Sequence, residues 1–278
     1  MKYFHVDVFT SRPMSGNGLT VVFADDTVGS KQMLQITQEF RQFETAFVFP
    51  HKNGSHPIRI FTMQEELPFA GHPVLGVSAV LHQVFYSGEE QKQIQLDLSG
   101  RRLCVESRLE DGQYTETMNQ GTPEFIRQID KAYHKQIAEA IGLREGDLDT
   151  GLPVSVISTG LPYLIVPVRD IERAGISGSG FEAFLNTLDA KFVYIFNPTT
   201  LECRTWDNDG LVEDVATGSA AGPLCAYLVQ QGIKKQGEII RLHQGRHVGR
   251  PSVIEGWMED GSVFIRGGVV FFASGEIL

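Results

Sequence analysis

The sequence predicts an α+β protein made of two similar halves, and three observations predict it. An order of strand, turn, strand, helix, strand, strand, helix runs twice along the chain. Each copy ends in an apolar helix that starts at a glycine beside small residues, Ala70-Gly71-His72 in one and Ala216-Thr217-Gly218-Ser219 in the other. The chain has 278 residues, enough for two cores that need no staples.

The first copy opens with a strand at 3–9, a turn at Ser15-Gly16-Asn17-Gly18 and a strand at 19–23. Met33, Ile36, Phe40 and Phe43 have helical spacing. Strands follow at 45–49 and 58–62, then a helix over 72–81. The second copy repeats this order. Strands at 154–158 and 163–168 flank Gly160-Leu161-Pro162, a helix covers 181–188, a strand covers 192–196, and Arg204-Thr205-Trp206 leads to a helix over 219–230. Aligned by hand, Arg59-Ile60-Phe61 matches Arg204-Thr205-Trp206, and the segment from Gly71 matches the segment from Gly218. The stretch 93–117 alternates like strands, 123–144 reads as linker and helix, and 262–278 reads as two short strands around Gly267-Gly268. The expected division is 1–118, completed by 269–278, and 119–268. Two such halves are expected to form a cleft where they meet, a common place for a small-molecule site.

Composition excludes several classes. Acidic residues outnumber basic ones, 34 to 24, for a net charge of −10. That balance argues against nucleic acid and against an anionic membrane surface as partners. No apolar run reaches the ~18 residues of a membrane span, and the first residues carry no signal-peptide core. Three scattered cysteines, Cys104, Cys203 and Cys225, form no disulfide framework and no Cys-x-x-Cys site. The expectation is a soluble, cytoplasmic protein.

The two helix starts carry the chemistry. A helix N-terminus offers unpaired N–H groups and partial positive charge, and glycine lets a ligand approach the backbone. Gly71, Gly218 and Ser219 are therefore candidates for cradling a carboxylate. Three ionisable residues stand close to these features: His72 in the first helical turn, Asp214 four residues before Gly218, and Glu44 at a helix-to-strand junction with apolar neighbours. Such neighbours favour the neutral carboxyl, which suits a group that takes and returns a proton. Each also has a plain structural reading: helix packing for the glycines, a loop cap for Asp214, a strand start for Glu44. Other motifs fail. There is no Gly-x-Ser-x-Gly, Walker loop or His-Glu-x-x-His. Gly178-Ser179-Gly180 follows no good strand, so it is not read as a dinucleotide fingerprint. His243 and His247 are separated by Gly245, which argues against a helical metal face. Arg241, Arg246 and Arg250 read as a solvated loop or an oligomer contact.

Leu67-Pro68-Phe69-Ala70-Gly71-His72-Pro73 and Glu213-Asp214-Val215-Ala216-Thr217-Gly218-Ser219-Ala220-Ala221-Gly222 resemble the two signature segments of the phenazine-biosynthesis PhzF-like isomerase family. Asp7-Val8-Phe9, Gly16-Asn17, Phe43-Glu44-Thr45-Ala46-Phe47-Val48, Gln244-Gly245 and Gly249-Arg250-Pro251-Ser252 support the match. The resemblance implies a diaminopimelate epimerase-like fold, each half a curled, barrel-like sheet around a central helix. It implies a homodimer, no cofactor and no metal. It implies a proton moved within a small carboxylate-bearing substrate such as trans-2,3-dihydro-3-hydroxyanthranilate. By the same resemblance Glu44 is the acid/base. His72 and Asp214 contact the substrate's polar groups, Gly71, Gly218 and Ser219 cradle its carboxylate, and Asn17 is a further contact.

Related epimerases place one cysteine at each helix start, and this chain has none there. Gly18, Phe43 and Trp206-Asp207-Asn208 depart from the family pattern. If Phe43 or Trp206 faces the cleft, the pocket differs in shape. Two other functions remain open on the sequence: an epimerase or racemase of an amino or hydroxy acid, and a non-catalytic binding protein on the same fold.

Overall fold

Alternating burial along the strands and all-round burial along two helices organise the chain. The computed structural model describes residues 1–176 and 180–278; the Gly178-Ser179 pair of the rejected fingerprint lies outside the described residues. The strands and α-helices, in order, are β1 (Lys2–Val8), β2 (Asn17–Phe23), α1 (Ser30–Phe40), β3 (Glu44–Val48), β4 (His56–Phe61), β5 (Glu66–Leu67), α2 (Gly71–Phe85), β6 (Gln91–Leu98), β7 (Arg101–Glu110), β8 (Gln113–Gly121), β9 (Glu124–Gln128), α3 (His134–Ala140), β10 (Ser155–Ser158), β11 (Pro162–Pro167), α4 (Phe181–Thr187), β12 (Phe192–Phe196), β13 (Cys203–Arg204), α5 (Gly218–Gln230), β14 (Ile240–Gln244), β15 (Ser252–Glu259) and β16 (Ser262–Glu276). The chain forms two units, Met1–Asn119 with Arg266–Leu278, and Gln120–Ile265. Among the described residues no helix is long and apolar enough to cross a membrane.

In the first unit the sheet runs β1-β2-β3-β4-β6-β7-β8-β16, and β16 pairs back onto β1, so eight strands close into a barrel. α2 is buried at every residue from Gly71 to His82. A helix apolar on all sides belongs inside a core, and this one is the core element of the barrel. A Cβ at Gly76 would stand 2.5 Å from the Leu19 side chain and 3.1 Å from that of Val8. Glycine there lets the helix lie against β1 and β2. α1 covers the outer face with Met33 and Ile36, packed with Val22, Phe47 and Phe61.

In the second unit the sheet runs β13-β12-β11-β10-β9, with the hairpin β14–β15 bridged in parallel to the segment before β13 at Glu202 and His243. α5 is likewise buried along most of its length. α3 and α4 cover the other side through Ile137, Ala138, Phe181 and Leu185.

The duplication is explicit in the pairing. β1–β2 is antiparallel, β2–β3 parallel and β3–β4 antiparallel. β10–β11, β11–β12 and β12–β13 repeat that sequence. Phe47 pairs with Arg59 and Ile195 with Arg204. Phe61 pairs with Glu66 and Trp206 with Glu213. Arg59 and Arg204 are therefore counterparts, as the hand alignment has them. Each arginine makes a two-pronged ion pair, with Glu66 and Glu213 respectively, and each guanidinium lies over the next aromatic, Phe61 at 5.1 Å and Trp206 at 4.7 Å. The chain is thus α+β in two pseudo-symmetric halves.

Three local expectations are corrected. Helix α1 stops at Phe40 because Arg41 turns left-handed (φ 53°), so Phe43 lies outside it and is exposed. The region read as linker opens with strand β9, which pairs with β10. Gly267-Gly268 is no turn but the interior of β16. A Cβ at Gly267 would stand 2.3 Å from the Phe9 ring, and one at Gly268 would stand 2.6 Å from the Thr10 carbonyl. These glycines serve close approach within a strand, a role a turn signal imitates.

Behind α2 lies a buried polar chain. His82 Nδ1 is 2.7 Å from Ser107 Oγ, which donates to Glu116 Oε1 at 2.6 Å. Burial pushes the Glu116 carboxyl up to about 8, against lowering contributions from Ser107 and Ser78. The folded value lies above the unfolded one, so the contribution to stability is full below about pH 4.5 and is lost as pH rises through 8. Glu116→Gln is expected to overtake the wild type as pH rises from about 5 to about 8, by more than about 1 kcal/mol in urea unfolding. An unchanged difference between the two proteins across that range would refute it.

Candidate functional site

In the first unit the site residues come together from three elements. Asn17 opens β2 behind Gly16, whose φ of 69° and position, 2.4 Å from the Val8 carbonyl for an added Cβ, admit only glycine. Buried Asp7 accepts the Met14 N–H at 2.7 Å and closes the loop that delivers this pair. Glu44 opens β3, in parallel register with Leu19. His72 is the second residue of α2, whose cap Ala70 supplies no side-chain bond, so Gly71 starts a first turn with its N–H groups uncapped from that side.

His72 Nε2 lies 3.4 Å from Glu44 Oε2, and its Nδ1 lies 3.4 Å from Asn17 Nδ2. Burial pushes the His72 ring down to about 3, opposed by a backbone hydrogen bond with Gly18, so the ring is neutral at ordinary pH. A neutral imidazole holds its proton on one nitrogen and can turn a donor toward the carboxylate or an acceptor toward the protonated carboxyl. This trio is a carboxylate on a strand start with a neutral, oriented partner, an arrangement suited to proton transfer.

In the second unit, α5 starts at Gly218 after Thr217. The Thr217 hydroxyl donates to Asp214 Oδ2. Ser219 Oγ lies 2.8 Å from the Tyr163 hydroxyl, whose titration burial drives upward. Gln120 donates to the Gly218 carbonyl at 3.0 Å and accepts from Thr159, and Gly222 leaves room for its amide. Asp214 thus accepts from the hydroxyl of the residue just before the helix, while Gly218 and Ser219 open the helix itself.

Sequence reasoning names Gln244 only within a supporting match, with no role, and misses Tyr194. Gln244 makes four hydrogen bonds with Tyr194, Thr217 and Asp214. Alternation was the available signal: Ile240 and Leu242 point inward on β14, and Gln244 takes the next inward place. The segment after it also gains a physical account. Gly245 has φ 83°, and an added Cβ would stand 2.3 Å from the Arg250 carbonyl and 2.6 Å from the Val215 carbonyl. The loop therefore packs against the irregular segment before α5 that carries Asp214. Arg246 and Arg241 are not idle surface charges: Arg246 pairs with Glu202 and Glu172, and Arg241 with Glu255. Trp206, expected as a possible pocket wall, is buried in the core beneath Arg204. Burial pushes the Cys225 thiol, inside α5, up to about 12. Among the described residues no group of three or more His, Cys, Asp or Glu is placed to hold a metal ion.

The comparisons with known proteins agree with this architecture. A trans-2,3-dihydro-3-hydroxyanthranilate isomerase of Pseudomonas chlororaphis is 30% identical over 267 residues, covering 91% of this chain and 88% of the relative. An uncharacterized isomerase of Escherichia coli (strain K12) is 31% identical with the same coverage. A solved structure from Pseudomonas aeruginosa, described as a predicted epimerase, superposes with TM-score 0.93 at 43% identity and covers 100% of this chain and 99% of its own. A hydroxyproline epimerase from Agrobacterium vitis shares the fold at TM-score 0.60 and 13% identity, covering 99% and 91% of the two chains. The family model for phenazine biosynthesis-like proteins (PhzC-PhzF) matches residues 6–275, so this chain belongs to that family, as one of its isomerases.

Proposed function

We propose that the chain is a cofactor-independent isomerase that moves a proton within a small carboxylate-bearing substrate similar to trans-2,3-dihydro-3-hydroxyanthranilate. The observation that carries this reading is the 3.4 Å approach of Glu44 to a neutral, buried His72. In this reading the Glu44 carboxylate takes a proton from one substrate carbon and returns it to another. His72, oriented by Asn17, and Asp214 bind the substrate's polar groups. The N–H groups at Gly71 and Gly218 and the Ser219 hydroxyl receive its carboxylate, where a helix start favours negative charge. In this reading the protein works as a homodimer, and in the cytoplasm, where its three free cysteines would stay reduced.

The relative described as an epimerase favours a second reading, in which Glu44 and a second base invert a stereocentre of an amino or hydroxy acid. A two-thiol version is disfavoured here, since both helix starts lack cysteine and Cys225 is deep in α5.

Proton NMR in D₂O with trans-2,3-dihydro-3-hydroxyanthranilate separates the two. The isomerase should relocate the ring double bond. An epimerase should leave it in place and wash deuterium into a stereocentre of its own substrate. Folded protein that leaves the compound untouched would overturn the proposed substrate.

A further inference from the structure

Four hydrogen bonds fix the Gln244 side chain, which is 2% exposed. Its Oε1 accepts from the Tyr194 hydroxyl at 2.9 Å and from the Thr217 backbone N–H at 3.2 Å. Its Nε2 donates to the Asp214 carbonyl and to Thr217 Oγ1, both at 2.9 Å. Two donors on one end and two acceptors on the other leave the amide one orientation. Because the Thr217 hydroxyl accepts from Gln244, its own proton is directed to the Asp214 carboxylate.

The pseudo-symmetry shows that the fold does not require this arrangement. By strand register the counterparts of Tyr194 and Gln244 are Ala46 and Leu98, and by the helix starts those of Asp214 and Thr217 are Leu67 and Ala70. All four places are apolar in the first unit, and Ala46 and Leu98 are buried. The hairpin after Leu98 is two residues, Ser99-Gly100, whereas the one after Gln244 is the Gly245 loop packed on Val215. A polar network built in one copy and absent from the other, around a residue assigned to the substrate, points to a task beyond folding.

We propose that Gln244, held by Tyr194, is a positioning residue that acts through the Thr217 hydroxyl to aim the Asp214 carboxylate. This rests on the reading of Asp214 as a substrate contact. The direct test is a carbon-13 NMR titration of the Asp214 carboxyl in the full-length wild type, Thr217→Val, Gln244→Met and the double variant. A donated hydrogen bond favours the ionised carboxylate, so each single variant should titrate at higher pH. The double variant should titrate no higher than Thr217→Val, because both act through one hydroxyl. A Gln244→Met titration equal to wild type, or one fully additive with Thr217→Val, overturns the proposal. Should Gln244→Met fail to fold, Thr217→Val carries the test, because it keeps the side-chain shape, and an unchanged titration there overturns it.

Turnover of trans-2,3-dihydro-3-hydroxyanthranilate supplies the functional arm. Thr217→Val should lower kcat/KM at least about tenfold in the wild type and less than about twofold in an Asp214→Asn background. Equal losses in both backgrounds indicate a structural role and refute the proposal. Full activity of Asp214→Asn instead refutes the underlying assignment of Asp214, which the titration does not depend on.

Discussion

Glu44→Gln is expected to lower turnover of the isomerised substrate by about 10²- to 10⁴-fold, the usual contribution of one acid/base group. The amide preserves the size and shape of a side chain that lies 3.4 Å from His72 Nε2, and removes the ability to hold the migrating proton. Thermal and urea unfolding should therefore match the wild type, because Glu44 heads its strand and the pairing of β3 with β2 and β4 is made by backbone. The measurement is product formation by NMR at saturating substrate, with folding checked alongside. Activity within about threefold of wild type would move the acid/base role off Glu44. His72 is not the substitute favoured on physical grounds: a ring titrating at about 3 stays neutral through the working range and offers a poor base.

The second large effect concerns stability, and the duplication supplies its own control. Arg204 and Glu213 are each about 9% exposed at the side chain, whereas Arg59 and Glu66 are 30% and 36% exposed. The chemistry, the two-pronged geometry and the stacked aromatic are shared, so burial is the main difference. Truncating one partner of a buried pair strands a desolvated charge, so Glu213→Ala should cost about 3–5 kcal/mol. Removing Glu66 should cost under about 1 kcal/mol, since water and the Ser30 hydroxyl remain for the guanidinium. Urea unfolding of the two variants measures both. Equal costs would mean that burial does not govern the pair. Arg204 Nη1 also donates to the Ile171 carbonyl at 2.9 Å, which holds the arginine in place and prevents its escape to solvent.

Much of the fold was legible because local signals and tertiary need coincide. The Gly16-Asn17 turn, the apolar run of β12 and the helices after Gly71 and Gly218 each read the same way locally and in the structure. The failures share a physical cause. Glu124-Phe125-Ile126-Arg127-Gln128 is mostly exposed, so β9 carries no alternation to read, and only its pairing with β10 makes it a strand. Gly267-Gly268 looks like a turn because the Phe9 ring that requires it lies some 260 positions earlier in the chain. Phe43 extends a helical spacing that the left-handed Arg41 ends. At the site, Glu44, His72 and Asn17 are legible as residue types, and the structure brings those three together. Tyr194 and Gln244 were not legible as partners, because fifty positions separate them and only strand register joins them.

The closing of the first barrel has a consequence for how the protein is made. β1 pairs on one side with β2, formed almost at once, and on the other with residues 269–276 of β16. The half that leaves the ribosome first is thus the last to be finished. While the second half is being synthesised, β1 exposes an unsatisfied edge, and such edges invite pairing with other chains. Lys2 and His5 on that strand offer some protection, but release or chaperone shielding until residue 276 has emerged is what the topology calls for. A stop codon that removes only the last strand would spare every residue named as catalytic and still leave the barrel open.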